Sequence, residues 1–331
     1  MPTKRISIPS GYLKADMHCH TYHSGLTGHM EAFEPMDSYS SPQTLYDLAK
    51  KRGMDLVTIT DHDSIDGCLA FLQKNPDAGD FFIGEEVTVQ VPEFKTNVHV
   101  AVYDINEAQH REISYLKGNF DDTIAYLQSN NIIHALNHLF HGFHPTKQGR
   151  AFLEKMLSSF ELLEGLNGAI NSGHNSITQR LTEMFPGKSI IAGSDSHTLL
   201  RLGTCFTACK ATNRSEFLQQ LRSGNTLIGG KYGHFHHLFN DAMGVYLNYF
   251  RDLIFRREVH VNWPLWKEIR NALGWIVCLP VFFSGALGGL FVQQCIEKYR
   301  QVRYEKLMAE LSAGEGLNQT IRDPQFVSTI R

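Results

Sequence analysis

Asp16-Met17-His18-Cys19-His20, running on into Thr21, closes the short apolar-leaning stretch from Tyr12 to Ala15. Side chains alternate along a strand, so imidazoles at i and i+2 of a strand end point the same way and can grip one cation together. Alone such a pair is weak, because a histidine at a strand end is more often a hydrogen-bonding surface residue than a ligand. Its company gives it weight. Thr60-Asp61-His62-Asp63, Gly84-Glu85-Glu86, His99, His138 and Gly193-Ser194-Asp195-Ser196-His197 recur with later strand-like runs. Together they offer enough nitrogen and oxygen donors for two or three metal ions.

The segments around these clusters share one grammar. Ser41 is placed to cap a helix with Pro42 at its first position, Leu45, Leu48 and Ala49 on its apolar side, Lys50 to Arg52 in its last turn and Gly53 as its stop. Leu56 to Thr60 reads as a buried strand delivering Asp61-His62-Asp63. Gly67 to Leu72 reads as helix, Phe81 to Ile83 as a strand followed by Glu85 and Glu86, and Val98 to Tyr103 as a strand containing His99. Phe120 to Gln128 is helical in pattern. Ile132 to Leu136 delivers Asn137 and His138, Phe160 to Leu163 delivers Glu164 and Asn167, and Ser189 to Ala192 delivers Asp195 and His197. Asn213 and Glu216 open a further helix that Gly224 closes. The loop from Tyr22 to Tyr39 is too long for an ordinary connection and is expected to cover a pocket mouth. An α/β repeat with its polar clusters at the carboxyl ends of strands predicts a barrel, where such loops converge on one face.

The ordered set ADMHCHT, ITDHDSIDG, GEEV, NVHVAVY and GSDSH resembles the PHP (polymerase and histidinol phosphatase) family of metal-dependent phosphoesterases, over roughly residues 12 to 230. The resemblance implies a distorted (β/α)7 TIM-like barrel with two or three divalent ions of zinc, manganese or iron. It puts His18, His20, Glu86 and Asp195 on one ion and Glu86, His99 and His138 on a second, with Glu86 as the bridge. His62 and His197 would bind a third ion. The remaining ligand of that ion falls by count at Leu26, so His23 or His29 would have to substitute. Asp61, His62, Glu86 and Asp195 are the residues expected at the reacting centre. Asp16 and Asp61 are expected to accept an imidazole N–H from a neighbouring ligand. His134, His141 and His144 compete with His138 and read as ordinary histidines. Arg201 and Lys210 could clamp a phosphate but read as solvated charges.

The implied reaction is hydrolysis of a phosphate ester by a hydroxide bridging two ions. Two alternatives stand beside it. One is an amidohydrolase-like metal hydrolase, which also opens with His-x-His but whose usual strand-end lysine has no candidate here. The other is a metal-binding sensor or scaffold module without turnover.

Bulk properties narrow the partners. With 31 Lys plus Arg against 34 Asp plus Glu, the formal net charge of −3 excludes the cationic field that holds long nucleic acid. A phosphorylated small molecule, a nucleotide or a lipid-linked phosphate is the expected ligand. The six cysteines have no framework spacing and read as reduced thiols, and Met1 to Gly11 has no signal-peptide core. Both predict a cytoplasmic setting.

The carboxyl-terminal third reads differently. Asn271 to Cys295 contains no charged residue, and Ala272 to Val292 is 21 mostly apolar positions, enough for roughly 30 Å of helix. Trp263, Trp266 and Trp275 flank its start, and Gly285 and Gly289 suit close helix contact and a homo-oligomer. The expected organisation is a hydrolase domain at 1–235, an aromatic-rich connector at 236–270, a transmembrane or re-entrant helix at 271–295, and a charged helix with a flexible tail at 296–331. This predicts attachment to the cytoplasmic face of a membrane. Cations flank both ends of the segment, so either a single span or a hairpin turning at Pro280 fits.

Overall fold

The computed structural model describes residues 8–26, 36–140, 149–170 and 172–233, then 240–251, 264–274 and 295–309 apart from 242, 246, 268, 296, 297 and 300. Nine strands form two sheets. β2 (Val57–Ile59), β3 (Phe81–Val91), β4 (Thr96–Tyr103), β5 (Ile133–Leu136), β6 (Leu162–Asn167) and β7 (Ser189–Gly193) lie side by side in sequence order. β1 (Tyr12–Ala15), β8 (Cys205–Lys210) and β9 (Leu227–Gly230) form the second sheet, in the order β1-β8-β9.

Residues 16–20 join the two ends of the larger sheet. On one side Met17 N–H donates to Ala192 and Asp195 N–H to His18, and on the other Thr60 N–H donates to Cys19. The His-x-His strand end is thereby threaded between the carboxyl ends of β7 and β2. Gly193 permits the close approach, since a Cβ there would run into the backbone nitrogen and Cβ of His18.

Helices cover the outside. α1 (Pro42–Lys51) begins as read, with Ser41 Oγ accepting from Thr44 N–H. α2 (Asp66–Lys74), α4 (Phe120–Ser129) and α7 (Arg214–Arg222) also occur where the pattern places them. α3 (Glu107–Leu116), α5 (Gly149–Ser159) and α6 (Ser172–Met184), with β8 and β9, were not anticipated. α3 had a legible signal, because Asn106 and Gln109 make a complete capping box.

The barrel expectation needs one correction. β4 runs antiparallel to both β3 and β5, whereas β2–β3 and β5–β6–β7 are parallel. The cause is local. A 3-10 turn at Pro92–Phe94 and Lys95 in the left-handed region reverse the chain at once, leaving no length for a crossover helix. Glu85 and Glu86 likewise do not follow a strand but sit inside β3, on opposite faces.

Four apolar clusters form the core. The largest includes Tyr304, Leu307 and Met308 from the helical stretch 301–309, with the Tyr304 ring tilted against that of Phe140 at 4.6 Å. Part of the segment expected as a charged helix with a flexible tail packs on the body. Among the described residues, no helix is long and apolar enough to cross a membrane. Residues 275–294, most of the expected membrane segment, lie outside the described residues, as do His29, His141, His144 and Cys278.

Candidate metal centre

Glu86 is the middle of the site. It is fully buried at the centre of β3, facing inward, and its two carboxylate oxygens address different histidines. Oε2 lies 3.0 Å from His18 Nε2, 3.5 Å from His20 Nε2 and 3.2 Å from His62 Nδ1. Oε1 lies 3.2 Å from His99 Nδ1 and 3.1 Å from His138 Nε2. Asn137 Nδ2 donates to Oε1 at 2.8 Å and fixes the carboxylate plane.

Asp195 closes the near side, with Oδ1 3.5 Å from His18 Nε2 and 3.4 Å from His20 Nε2. His197 Nε2 lies 3.1 Å from Asp37 Oδ2, and His62 Nε2 lies 4.0 Å from the same oxygen. The donor atoms sort into overlapping groups, each with its members within 4.8 Å of one another: His20, Asp37, His62 and His197; His18, His138 and Asp195; His18, His20 and Glu86; His62, Glu86 and His99. All eight residues read as metal donors from the sequence are brought together.

The fit to cations can be tested on the polar atoms themselves. His18 Nε2, His20 Nε2, His62 Nδ1, His99 Nδ1, Glu86 Oε2 and Asp37 Oδ2 are buried without a hydrogen bond of proper geometry. Buried polar atoms are nearly always paired, so six that converge on the same small space behave as a donor set. The electrostatics divide the imidazoles: against the cost of burial, neighbouring carboxylates raise the pKa of His18, His138 and His197, the last to about 10, while those of His20 and His62 are lowered. Burial opposes charge on Glu86 and Asp195, yet the imidazoles around them, His18 foremost, hold both carboxyls well below their usual range. Burial and the neighbouring His197 lower the pKa of His20, and burial lowers His62 to about 4. Neutral imidazoles and ionised carboxylates are the forms that ligate metal, so the carboxylates and His20 and His62 are already in that form, while an ion bound by His18, His138 or His197 would displace a proton.

Several supporting roles differ from expectation. Asp16 and Asp61 touch no imidazole N–H. Asp61 accepts from the N–H and hydroxyl of Thr21 at 2.5 and 2.6 Å and from Ser24 Oγ at 3.0 Å, so it reaches His20 only through Ser24, whose Oγ is 3.1 Å from His20 Nδ1. Asp16 accepts from the N–H groups of His18, Ser194 and Gly203. The role expected of them belongs to Glu164. Its Oε1 lies 2.9 Å from His18 Nδ1, and its Oε2 accepts from His138 N–H and Asn167 Nδ2. A bulge between Glu164 and Leu166 turns Glu164 and Asn167 to one side of β6, where Asn167 also donates to Asp195.

Asp37, not His23, stands beside His62 and His197. His23 packs against Tyr22 and belongs to none of the donor groups. The signal was absent because Asp37 lies 17 residues beyond His20, and a carboxylate carried by a long loop has no fixed count. The loop delivers it by folding back, with Asp37 N–H donating to Gly25 and Leu26 bridging Met36. His134 keeps to the ordinary reading, its Nδ1 2.8 Å from Ile132 O beside Phe160. Arg201 is buried rather than solvated, while Lys210 ends β8 exposed. Asp63, His138 and Asp195 all hold positive φ, a cost that clusters at working sites. Burial raises the thiol pKa of Cys19, Cys68, Cys205 and Cys209, which keeps them protonated and poor nucleophiles.

A family model described as PHP-associated matches residues 186–226, the span containing β7, Asp195, His197, β8 and α7. An uncharacterized protein of Methanocaldococcus jannaschii is 36% identical over 76 residues, which is 23% of this chain and 44% of that one. The chain thus spans less than half the length of that relative. Among solved structures, PsfC from Pseudomonas syringae aligns with a TM-score of 0.49 and 16% identity, over 72% of this chain and 98% of its own. A two-domain protein from Bacteroides vulgatus, containing a predicted PHP-like metal-dependent phosphoesterase, aligns at 0.46 and 16%, over 74% of each chain. An amidohydrolase from Chromobacterium violaceum aligns at 0.46 and 13%, over 64% of this chain and 97% of its own.

Proposed function

We propose that this chain, a member of the PHP family, is a hydrolase that cleaves a phosphate ester at a centre of divalent ions bridged by Glu86. The observation that carries the reading is the division of labour on Glu86, one oxygen for His18, His20 and His62 and the other for His99 and His138. A single buried carboxylate facing two imidazole groups is the arrangement that lets two cations sit near one another, since its charge offsets their repulsion.

Ions bound there would lower the pKa of a water and neutralise the oxygens of a phosphoryl group. His18, His20, Glu86 and Asp195 would hold the first ion and Glu86, His99 and His138 the second, with His62, His197 and Asp37 at a third position. Zinc, manganese and iron all suit imidazole with carboxylate. The chain's own contribution is orientation. Glu164 fixes the ring of His18, Ser24 that of His20, Asn137 the carboxylate of Glu86 and Asn167 that of Asp195. Each donor is thus aimed before a ligand arrives, so little reorganisation is left for the reaction.

The substrate is a phosphorylated small molecule, a nucleotide or a lipid-linked phosphate. Metal-supplemented protein assayed against nucleotide, sugar and lipid phosphates, with elemental analysis of the same preparation, tests the proposal. At least two ions per chain and turnover of one phosphoester class are expected. Fewer than one ion per chain after supplementation would rule the reading out. Bound metal with no phosphoester turnover would favour amide hydrolysis or a binding module.

A further inference from the structure

The loop from Ser194 to Thr204, which carries Asp195 and His197, is held from three directions. Asp16, at the end of β1, accepts from Ser194 N–H at 2.8 Å and Gly203 N–H at 2.7 Å, tying both ends of the loop down. Arg52, the C-cap of α1, donates from Nη1 to the carbonyls of Leu199 and Leu202 at 2.9 and 2.5 Å. The third hold comes from beyond the barrel sheets. Asp241, in the helical stretch 240–251, accepts from Thr198 Oγ1 through Oδ1 at 2.9 Å, and its Oδ2 lies 3.9 Å from Arg201 Nε.

Each contact bears on His197. Thr198 is its chain neighbour, and Ser196 on its other side donates its hydroxyl to the Thr198 carbonyl. Gly244, nearly one turn after Asp241, brings that helix close, since a Cβ there would meet Thr198 Cγ2 at 3.0 Å. Arg201 is only 6% exposed and its Nε is buried without a hydrogen bond. Stripping the counter-charge from a buried guanidinium is strongly destabilising, because the cation is left uncompensated in a poor solvent. Asp241 is the only ion-pair partner of Arg201 among the described residues.

We infer that Asp241 is a positioning residue of the metal centre: through Thr198 and Arg201 it fixes the loop that aims His197. The inference rests on the proposed role of His197 as a metal donor. Its consequence is that the segment after residue 235, outside the expected hydrolase domain, is part of the machinery that sets metal affinity.

The test measures zinc affinity by competition with a chelator, and thermal unfolding of the metal-free protein, on full-length variants. Asp241→Ala should weaken the most loosely held zinc by about ten- to hundredfold, the range typical of residues that orient ligands. Asp241→Asn keeps an acceptor for Thr198 and should lose less. Asp80→Ala serves as the control. Its carboxylate pairs with Lys50 and Tyr46 at the amino end of β3, so its loss should lower the unfolding temperature without changing zinc affinity.

Should Asp241→Ala not fold, the double variant Arg201→Met with Asp241→Leu removes both charges. It should fold and still bind zinc weakly, because the Thr198 contact is gone. A folded Asp241→Ala or double variant that binds every zinc within twofold of the parent would overturn the inference alone. So would an Asp80→Ala protein that weakens zinc as much as Asp241→Ala. A parent protein that binds no zinc, manganese or iron would overturn the metal reading and this inference with it.

Discussion

Glu86 and Glu164 are both buried carboxylates touching His18, yet they should fail differently when changed. Glu86 faces five imidazoles and supplies the charge between the two groups, so Glu86→Gln should remove at least one ion and lower turnover by more than about a hundredfold. Within the donor set Glu164 meets only the far nitrogen of His18 and the backbone N–H of His138. Glu164→Gln keeps a hydrogen-bonding group there and should weaken metal binding about ten- to hundredfold, recoverable with excess metal. Titrating activity against metal concentration separates the two: the Glu164 variant should approach parent turnover at saturation and the Glu86 variant should not. Equal recovery in both would deny Glu86 its bridging place. His134→Ala, away from every donor group, should leave turnover within a few-fold. At this scale the sequence was readable for residues with a fixed address on a strand end. It was silent on Asp37, placed by the fold of a loop, and it placed Glu164 at a strand end without its contact to His18, because that direction depends on a bulge no residue type announces.

Elements hold these residues in register, and two of them allow sharp tests. β7 and the His-x-His segment meet where Gly193 lies against His18, so Gly193→Ala must push the two apart. Overpacking of this kind costs about 1–3 kcal/mol, and here the displacement falls on a metal donor. The expected result is a lower unfolding midpoint together with weaker metal binding; lowered stability with unchanged metal affinity would show that β7 yields instead of His18. On the opposite face of β3, Glu85 is tied to α3 through His110 Nδ1 at 2.8 Å. The hydrogen bond to Glu85 raises the pKa of His110, while burial raises that of Glu85. Because the folded-state value of His110 lies above its ordinary one, its contribution is complete below about pH 6.5 and is lost as pH rises through the folded value. The gap in urea midpoint between parent and His110→Ala should therefore be wider at pH 6 than at pH 9. A gap that grows toward pH 9 would mean the pair does not stabilise in its charged form. Helices with an N-cap and an apolar stripe were legible, as α1, α4 and α7 show. β8 and β9 are short strands whose place is set by pairing, β8 with β1 and β9 with β8.

At the scale of the whole molecule, two described stretches beyond β9 pack on the body. The 240–251 stretch is held at Thr198 by Asp241, and the 301–309 stretch inserts Tyr304 between Phe140 and the His174 ring of α6. Tyr304 is fully buried, and removing a large buried aromatic costs about 3–5 kcal/mol. Tyr304→Ala should accordingly lower the unfolding midpoint by the largest step of any change outside the barrel sheets. A change of under about 1 kcal/mol would mean that 301–309 does not pack on the core. The same docking limits what the uncharged segment could do were it to enter a bilayer. A single pass by the uncharged segment would put 301–309 on the far side of the bilayer from the core it packs against. Were it to enter one, only a return to its starting face would keep 301–309 packed on the same body as 240–251. Leu247 and Val302 are both exposed, so each can carry a reporter thiol. Should the full-length protein co-sediment with sealed membrane vesicles, then with the exposed Cys295 replaced by serine, Leu247→Cys and Val302→Cys should react with an impermeant maleimide from the same side. Labelling from opposite sides would require the carboxyl-terminal helix to abandon Phe140, and Tyr304→Ala would then leave stability unchanged.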